Sequence, residues 1–381
     1  MSKFRLPPIS PLLGSNILTY IKSIGQGRIE PRYYLKTVLT FLIVLIGTPF
    51  RWYDGMIYHF FIRKKKDPVA PVFIIGHWRS GTTFLHNILC QDSQIGFVTT
   101  YQSVFPNNLA SKLLFRGFMK SRMPKTRPGD NVQLSVGYPQ EDEFALSNMN
   151  PHTFYQFMYF PENFREFYSW FIRFESRQDI VKDWKADYKK MIKKACHETG
   201  GSIPVLKNPC NTGRIKILLE MYPDAKFIHI VRNPVVVFLS ARKFFTELLP
   251  TLWFHRVGEK FIEEIVFEIY EFLMNDFLAL KEMIPPQNLI EIRFEDLEED
   301  PMFHLESIYK QFALPGFGQA ESHFSAYLNK MAGYRKNRYQ VIDEEVVGKI
   351  NRRWGFAMDL WDYHLPDNLK PVKKEAAHDH K

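Results

Sequence analysis

The sequence predicts an α/β protein: a parallel sheet flanked by helices, with helical insertions. Three observations predict it. Short apolar runs stop abruptly at glycine or charge, as in "PVFIIG" (71–76), "SIPVLKNP" (202–209) and "AKFIHIVRNP" (225–234). Each run is followed by a stretch with helical spacing. The charged and glycine-containing turns all fall where the strands end, which is where open parallel sheets bind ligands.

Taken in order, residues 1–70 read as an N-terminal accessory helical region. Within it, "TVLTFLIVLIGTPF" (37–50) carries no charge and is short for a bilayer span. Tyr33, Tyr34 and Lys36 precede it; Arg51, Trp52, Tyr53 and the run "RKKK" (63–66) follow. A buried core helix with a solvated basic loop is the first reading; basic and aromatic flanks also suit an interfacial helix at anionic lipid, so peripheral membrane contact through residues 33–66 is the second and a genuine span the third. The main domain is expected over 71–369. It opens with the strand "VFIIG", the helix "TTFLHNILC" and a short second strand at "GFVTT" (96–100). Residues 101–140, rich in Pro, Gly, Lys and Arg, predict loops over a site. "PQEDEFALSNM" (139–149) starts a helix with acids in its first turn, and with it an aromatic-rich helical insert, 139–200. The strand and turn at 202–209, the helix "GRIKILLEMYP", the strand at 225–234, the helix "VVVFLSARKFF", helical patterning over 259–283 and a last strand and turn, "NLIEIRFEDL" (288–297), complete the alternation. Residues 370–381 predict a charged, disordered tail.

A formal net charge of +9 favours an acidic partner: nucleic acid, a membrane surface or a polyanionic small molecule. The three cysteines, Cys90, Cys196 and Cys210, form neither a CxxC pair nor a zinc spacing, which argues against a disulfide scaffold or zinc site and for a reducing compartment. The opening residues, broken by prolines and polar side chains, do not read as a secretory signal. A cytoplasmic protein, associated with the inner face of a membrane, is the expectation.

The turn after the first strand carries the chemistry. Residues 76–81, Gly76 to Gly81, have the GxxxxG frame of a phosphate loop, which makes the sheet P-loop-like. A turn entering a helix aims several backbone N–H groups at one point, and the helix dipole adds to them. Ser80, Thr82 and Thr83 add hydroxyls, and Arg79 adds charge or a bidentate grip. A nucleotide triphosphatase would continue GK[ST]; here Thr82 follows Gly81, and the strand "AKFIHIV" ends in Arg232 rather than an acidic magnesium ligand. In "IHIVRNPVVVFLS" a strand-end arginine, Arg232, precedes a helix-borne serine, Ser240, by eight residues. The two can hold a second phosphate; a solvated arginine and a serine bonded to its own helix is the plain alternative.

"GHWRSGTTFL" resembles the 5′-phosphosulfate loop of sulfotransferases that use 3′-phosphoadenosine 5′-phosphosulfate (PAPS), and the pattern is closest to the broad bacterial branch of that family. The resemblance implies that Gly76, His77, Arg79, Ser80, Gly81, Thr82 and Thr83 surround the 5′-phosphate and sulfonate. It implies that Phe84 lies near the adenine or packs in its helix, and that Arg232 and Ser240 grip the 3′-phosphate. "GYRKNRY" (333–339) is similar to the family's basic closing loop without its glycine, which assigns Arg335 and Lys336 to the same phosphate. "RFEDLEEDP" (293–301) is similar to a downstream family turn, in which Glu295 and Asp296 read as structural caps.

Sulfonate transfer needs a base for the acceptor hydroxyl, cations at the transferring group and an in-line arrangement. The sulfonate carries less charge than a phosphoryl group, so no metal is expected. Lys207 resembles the lysine of the family's KTH segment and is expected at the leaving oxygen, with Arg79 a second cation. Asn208 and Pro209 follow it, so the family's usual histidine base is missing. Other branches use glutamate, and "PQEDEF" offers Glu141 first and Glu143 second; His77 and His86 are the runners-up. The implied reaction is PAPS-dependent O-sulfonation of a small-molecule hydroxyl, on a sterol, lipid or phenol, or alternatively a carbohydrate. A nucleotide kinase or NTPase, and a non-enzymatic nucleotide- or nucleic-acid-binding protein, are the rival classes. No nucleic-acid partner is expected, because the motifs converge on strand ends instead of forming a basic track.

Overall fold

A computed structural model describes residues 9–64, 68–123, 134–331 and 339–373. Five parallel strands form the central sheet: β1 (Val72–Ile75), β2 (Ile95–Gly96), β3 (Ile203–Lys207), β4 (Lys226–Val231) and β5 (Leu289–Arg293), in the order β2-β3-β1-β4-β5. The strands read as continuous apolar runs because both faces are covered. Successive residues serve opposite sides: Phe73, Ile75 and Phe227 enter one apolar core, Val72, Ile74 and Ile228 the other. Register brings the functional strand ends level. Ile74 pairs with Lys207, Ile75 with His229, and Val231 with Arg293.

A helix comes next after each of β1 (Thr82–Leu89, across the loop at 76–81), β4 (Pro234–Leu252) and β5 (Phe294–Glu299). The Pro234–Leu252 helix begins as its sequence dictates: Asn233 caps it, its Oδ1 accepting from the Val235 amide at 3.0 Å, and Pro234 occupies the first turn, where no N–H is needed. The aromatic insert is a packing device. Phe154, Phe157 and Tyr168 are fully buried, and Phe154 stacks on Phe157 with centroids 4.6 Å apart.

Several sequence expectations need correction. The second strand is only Ile95–Gly96; Thr99 leaves the sheet because its side chain forms a capping box with Gln102, starting the Thr100–Val104 helix. Residues 101–140 contain that helix and a second, Lys112–Arg122, where loops are predicted. Lys370–Val372 pairs in parallel with Val341–Asp343, so the tail is ordered at its start. Residues 9–62 are not set apart from the main body: Leu12, Tyr20 and Val44 lie in the same apolar core as Phe73. Lys36 Nζ donates to the carbonyls of Thr251, Leu252 and Trp253, closing the C-terminal end of the Pro234–Leu252 helix. Thr19 Oγ1 donates to the Met149 carbonyl, at the end of the Asp142–Met149 helix.

Candidate active site

The loop at 76–83 joins β1 to the Thr82–Leu89 helix. Gly76 has φ 130° and Gly81 φ 99°, a left-handed region that suits glycine. Gly81 is also a point of close approach: a Cβ there would sit 2.0 Å from the Phe294 ring. Thr212 Oγ1 accepts from the Gly76 amide at 2.8 Å and ties the loop to the turn after β3. Ser80 Oγ donates to the His77 carbonyl at 2.8 Å, which holds the loop closed on itself. The Thr82–Leu89 helix has no side-chain cap, so its first amides, at Thr82 and Thr83, are left for an anion.

The loop meets the β4 motif. Arg79 Nε donates to Ser240 Oγ at 2.9 Å, and Arg232 Nη1 donates to the Arg79 carbonyl at 3.1 Å. Arg79 lies over Phe244 (5.5 Å) and Arg232 over Phe294 (4.4 Å). Two motifs whose arginines stand 153 residues apart in sequence thus form one basic corner at the ends of β1 and β4. Phe84, half-buried, meets Phe294 edge to face. Glu295 is structural: it accepts from the Asn233 amide at 3.2 Å and from Tyr363 Oη at 2.7 Å, fixing the turn after Arg232. Arg335 and Lys336 lie outside the described residues.

Beside this corner, at the end of β3, stands Lys207. Its Nζ donates to Glu141 Oε1 at 2.6 Å; Lys207 is 1% exposed and Glu141 8%. Glu141 is the N-cap residue of the Asp142–Met149 helix and extended in conformation, so it does not sit on the helical face with Phe144. Tyr155 Oη donates to its other oxygen, and Trp78, inside the anion loop, donates from Nε1 to Tyr155 Oη at 3.3 Å. A single hydrogen-bonded chain therefore links the loop, the tyrosine, the carboxylate and the lysine.

The next two acids are used differently. Glu143 is wholly buried in a forked pair with Arg214 (2.6 and 2.8 Å) and accepts from the Phe154 amide at 3.0 Å. Ranked second as a base, it has both oxygens already taken up by Arg214, the Phe154 amide and Asn208. Asp142 accepts from Tyr188 Oη at 2.6 Å, and burial pushes its carboxyl up to about 7. Asn208, where the family carries a histidine, donates from Nδ2 to Glu143 at 2.7 Å and to Asp142 at 3.4 Å. It is a clamp for the acids.

Neither histidine runner-up faces the site. His77 is buried against Tyr270 (5.2 Å), with Nδ1 donating to the Trp78 carbonyl at 2.7 Å. Burial pushes its imidazole down to about 3, so its ring supplies no cation to the anion loop. His86 is a core residue whose imidazole burial, aided by the charge of Lys207, also pushes down to about 3. Sequence reasoning gives no role to Thr212, Tyr155, Asn208, Arg214 and Phe294. Apart from Asn208, which stands at the place of the family's missing histidine, no short-range pattern marks them, because each acts on a residue distant in the chain.

Residues 71–319 match the model of the sulfotransferase family. The chain belongs to this family. The kinase and non-enzymatic readings are thereby overturned: this is a sulfotransferase. Among curated relatives, the omega-hydroxy-beta-dihydromenaquinone-9 sulfotransferase Stf3 of Mycobacterium bovis and that of Mycobacterium tuberculosis are each 27% identical over 371 residues, covering 94% of this chain and 94% of the relative. Among solved structures, sulfotransferase STF9 from Mycobacterium avium superposes with a TM-score of 0.65 at 15% identity, covering 92% of this chain and 98% of the other. STF1 from Mycobacterium tuberculosis gives 0.62 at 17% identity, covering 83% and 88%. These likenesses establish that the sulfotransferase shares their fold. Among the described residues no group of three or more His, Cys, Asp or Glu side chains could hold a metal ion.

Proposed function

We propose that this sulfotransferase moves the sulfonate group of PAPS to a hydroxyl on a lipid acceptor, with Glu141 as base. The observation that carries the reading is the convergence of residues 76–83, Arg232 and Ser240 on one corner, with the Lys207–Glu141 pair beside it. The corner suits a doubly phosphorylated nucleotide. It offers an uncapped helix N-terminus, two guanidinium groups and a glycine loop whose backbone allows close approach. When bound, PAPS supplies an activated sulfonate: the acceptor oxygen–sulfur bond forms as the sulfur–bridging-oxygen bond breaks, leaving 3′,5′-ADP and a sulfate ester.

The chain's own residues do the rest. The loop amides with Arg79 hold the 5′ side, and Arg232 with Ser240 the 3′ side. Glu141 takes the acceptor proton. Lys207 is in reach of both the carboxylate and the strand ends. While the two are paired, the ammonium stabilises the ionised carboxylate and makes it a poor base. Turning Lys207 toward the leaving oxygen relieves that, so donor engagement and base strength rise together. The lipid class is supported by the name of the relatives that match along 94% of their length. Transfer of labelled sulfonate from PAPS across hydroxylated isoprenoid lipids, sterols, phenols and glycans tests it. Labelling of the lipids is expected; labelling confined to glycans overturns the acceptor class.

A further inference from the structure

The N-terminal helix is built inside out for a soluble protein. Over Tyr34–Ile57, continuing in a wider turn through Tyr58–Ile62, the inward positions are Lys36, Thr40, Val44, Thr48, Arg51 and Asp54. The outward positions are apolar: Leu35, Val38, Leu42, Leu45, Ile46 and Trp52 are exposed, the last two at 72% each. Scattered exposed apolar residues need no explanation, but a continuous face of them does. Pro31–Ile62 is long and apolar enough to cross a bilayer. Its inward face says otherwise. Lys36 is bonded to three carbonyls at 251–253, Arg51 to the carbonyls of Val44 and Leu13, and Asp54 to the Ala110 amide and Ser111. These anchors are spread over about 27 Å of helix at 1.5 Å per residue, so the helix lies lengthwise along the protein body.

A second helix extends the surface. Lys112–Arg122 touches the first through Phe50 and Phe115, whose rings meet edge to face at 5.5 Å. Leu113, 90% exposed, and Leu114 and Phe118 stand out from it, among the exposed Arg116 and Lys120. Neither helix carries an acidic residue except Asp54, which is buried and bonded. Under Trp52 lies a cavity of about 360 Å³; three of its lining residues, Arg51, Lys190 and Lys194, are basic and none is acidic. Arg51 and Lys194 are buried there, and the Arg51 Nε has no partner among the described residues.

We infer that these two helices form a monotopic docking surface for an anionic phospholipid bilayer. The apolar face of 34–62 lies in the interface, Arg116, Lys120, Arg63 and Lys64 meet the headgroups, and the cavity under Trp52 receives a headgroup phosphate. Apolar insertion and charge complementarity select this occupant over a protein partner: a greasy face on two helices that expose cations and no acidic side chain fits a surface that is apolar within and anionic at its rim. The inference uses no residue of the candidate active site and does not rest on the acceptor being a lipid.

Flotation of the full chain with vesicles tests it. At low ionic strength, binding to phosphatidylcholine vesicles containing phosphatidylglycerol is expected to exceed binding to phosphatidylcholine alone by at least about tenfold, and to weaken with salt. Ile46→Glu with Trp52→Glu is expected to abolish binding to both. Arg116→Glu with Lys120→Glu is expected to remove the preference for anionic vesicles. A rise in melting temperature with 3′,5′-ADP confirms that each variant is folded. If a variant is not, slowed hydrogen exchange of 34–62 and 112–122 in the unaltered protein on adding anionic vesicles carries the test. The inference is overturned by failure to float with any vesicle, by equal binding to neutral and anionic vesicles, by unchanged binding of the folded double variant Ile46→Glu with Trp52→Glu, or by unchanged exchange. It is overturned equally if the apolar face is covered in lipid-free buffer by a dimer that the same double substitution dissolves.

Discussion

Replacing Glu141 by Gln separates its chemistry from its structural role. The substitution keeps the shape and a partner for Tyr155 Oη but removes the charge that faces Lys207 Nζ at 2.6 Å. Lys207 is only 1% exposed, so an uncompensated ammonium at this site costs about 3–5 kcal/mol if it stays charged. The ammonium can instead shed its proton or turn toward the donor corner, so the observed loss of stability is expected below that range. The kinetic effect is expected to be larger. Loss of a positioned base lowers kcat by about 10²–10⁴-fold, roughly 3–5 kcal/mol of barrier. Affinity for 3′,5′-ADP, by calorimetry, is expected to hold within about threefold or to tighten as Lys207 is released. Glu143→Gln is the control. It breaks a forked pair with Arg214 that is wholly buried, so it is expected to cost stability by about 3–5 kcal/mol without a selective loss of kcat in whatever folded protein remains. Single-turnover sulfonate transfer and urea unfolding on the same preparations give both numbers. Glu141→Gln retaining more than about a third of wild-type kcat refutes its role as base.

Three other outcomes are expected. Arg232→Met removes a charge from the donor corner and is expected to weaken 3′,5′-ADP by about 10–100-fold, while Ser240→Ala, which removes one bond to Arg79, weakens it by about fivefold; calorimetric titration reads both. Gly81→Ala combines a φ of 99° with a Cβ 2.0 Å from the Phe294 ring, and is expected to destabilise by about 1–3 kcal/mol and to raise the KM for the donor. Asp142 ionises near 7 in the fold and near 4 when unfolded, so the native state holds the extra proton between those values. Its contribution is therefore fully present below about pH 4 and lost as pH rises toward 7. Asp142→Asn is expected to flatten that segment of the stability profile, measured by urea unfolding across pH.

The motifs legible in the sequence are those that act locally. An apolar run that ends at glycine, or at "RNP", announces a strand end and a helix start, because hydropathy and backbone freedom are properties of adjacent residues. That is why residues 76–83, Arg232, Ser240 and Lys207 can be chosen from short stretches. The choice between Glu141 and Glu143 cannot be made that way. Two residues apart on one turn, they have the same chemistry and the same local pattern; one turns to Lys207 and the other to Arg214, partners 66 and 71 residues away. Asn208 reads as a missing histidine in the sequence; in the fold its amide holds both neighbouring acids.

The N-terminal helix shows the same division. Composition alone determined that 37–50 is apolar and flanked by aromatic and basic residues. Only packing decided which side faces out, since the buried polar groups at 36, 51 and 54 find their partners at 251–253, at 13 and 44, and at 110–111. Sequence thus determined the strands, the anion loop and the reaction family; tertiary structure decided which carboxylate sits beside the lysine and which helix face meets solvent. The physical reason is that burial and pairing are set by neighbours in space, and a chain that brings residues 79 and 240 to 2.9 Å does so through a sheet register that no short stretch encodes.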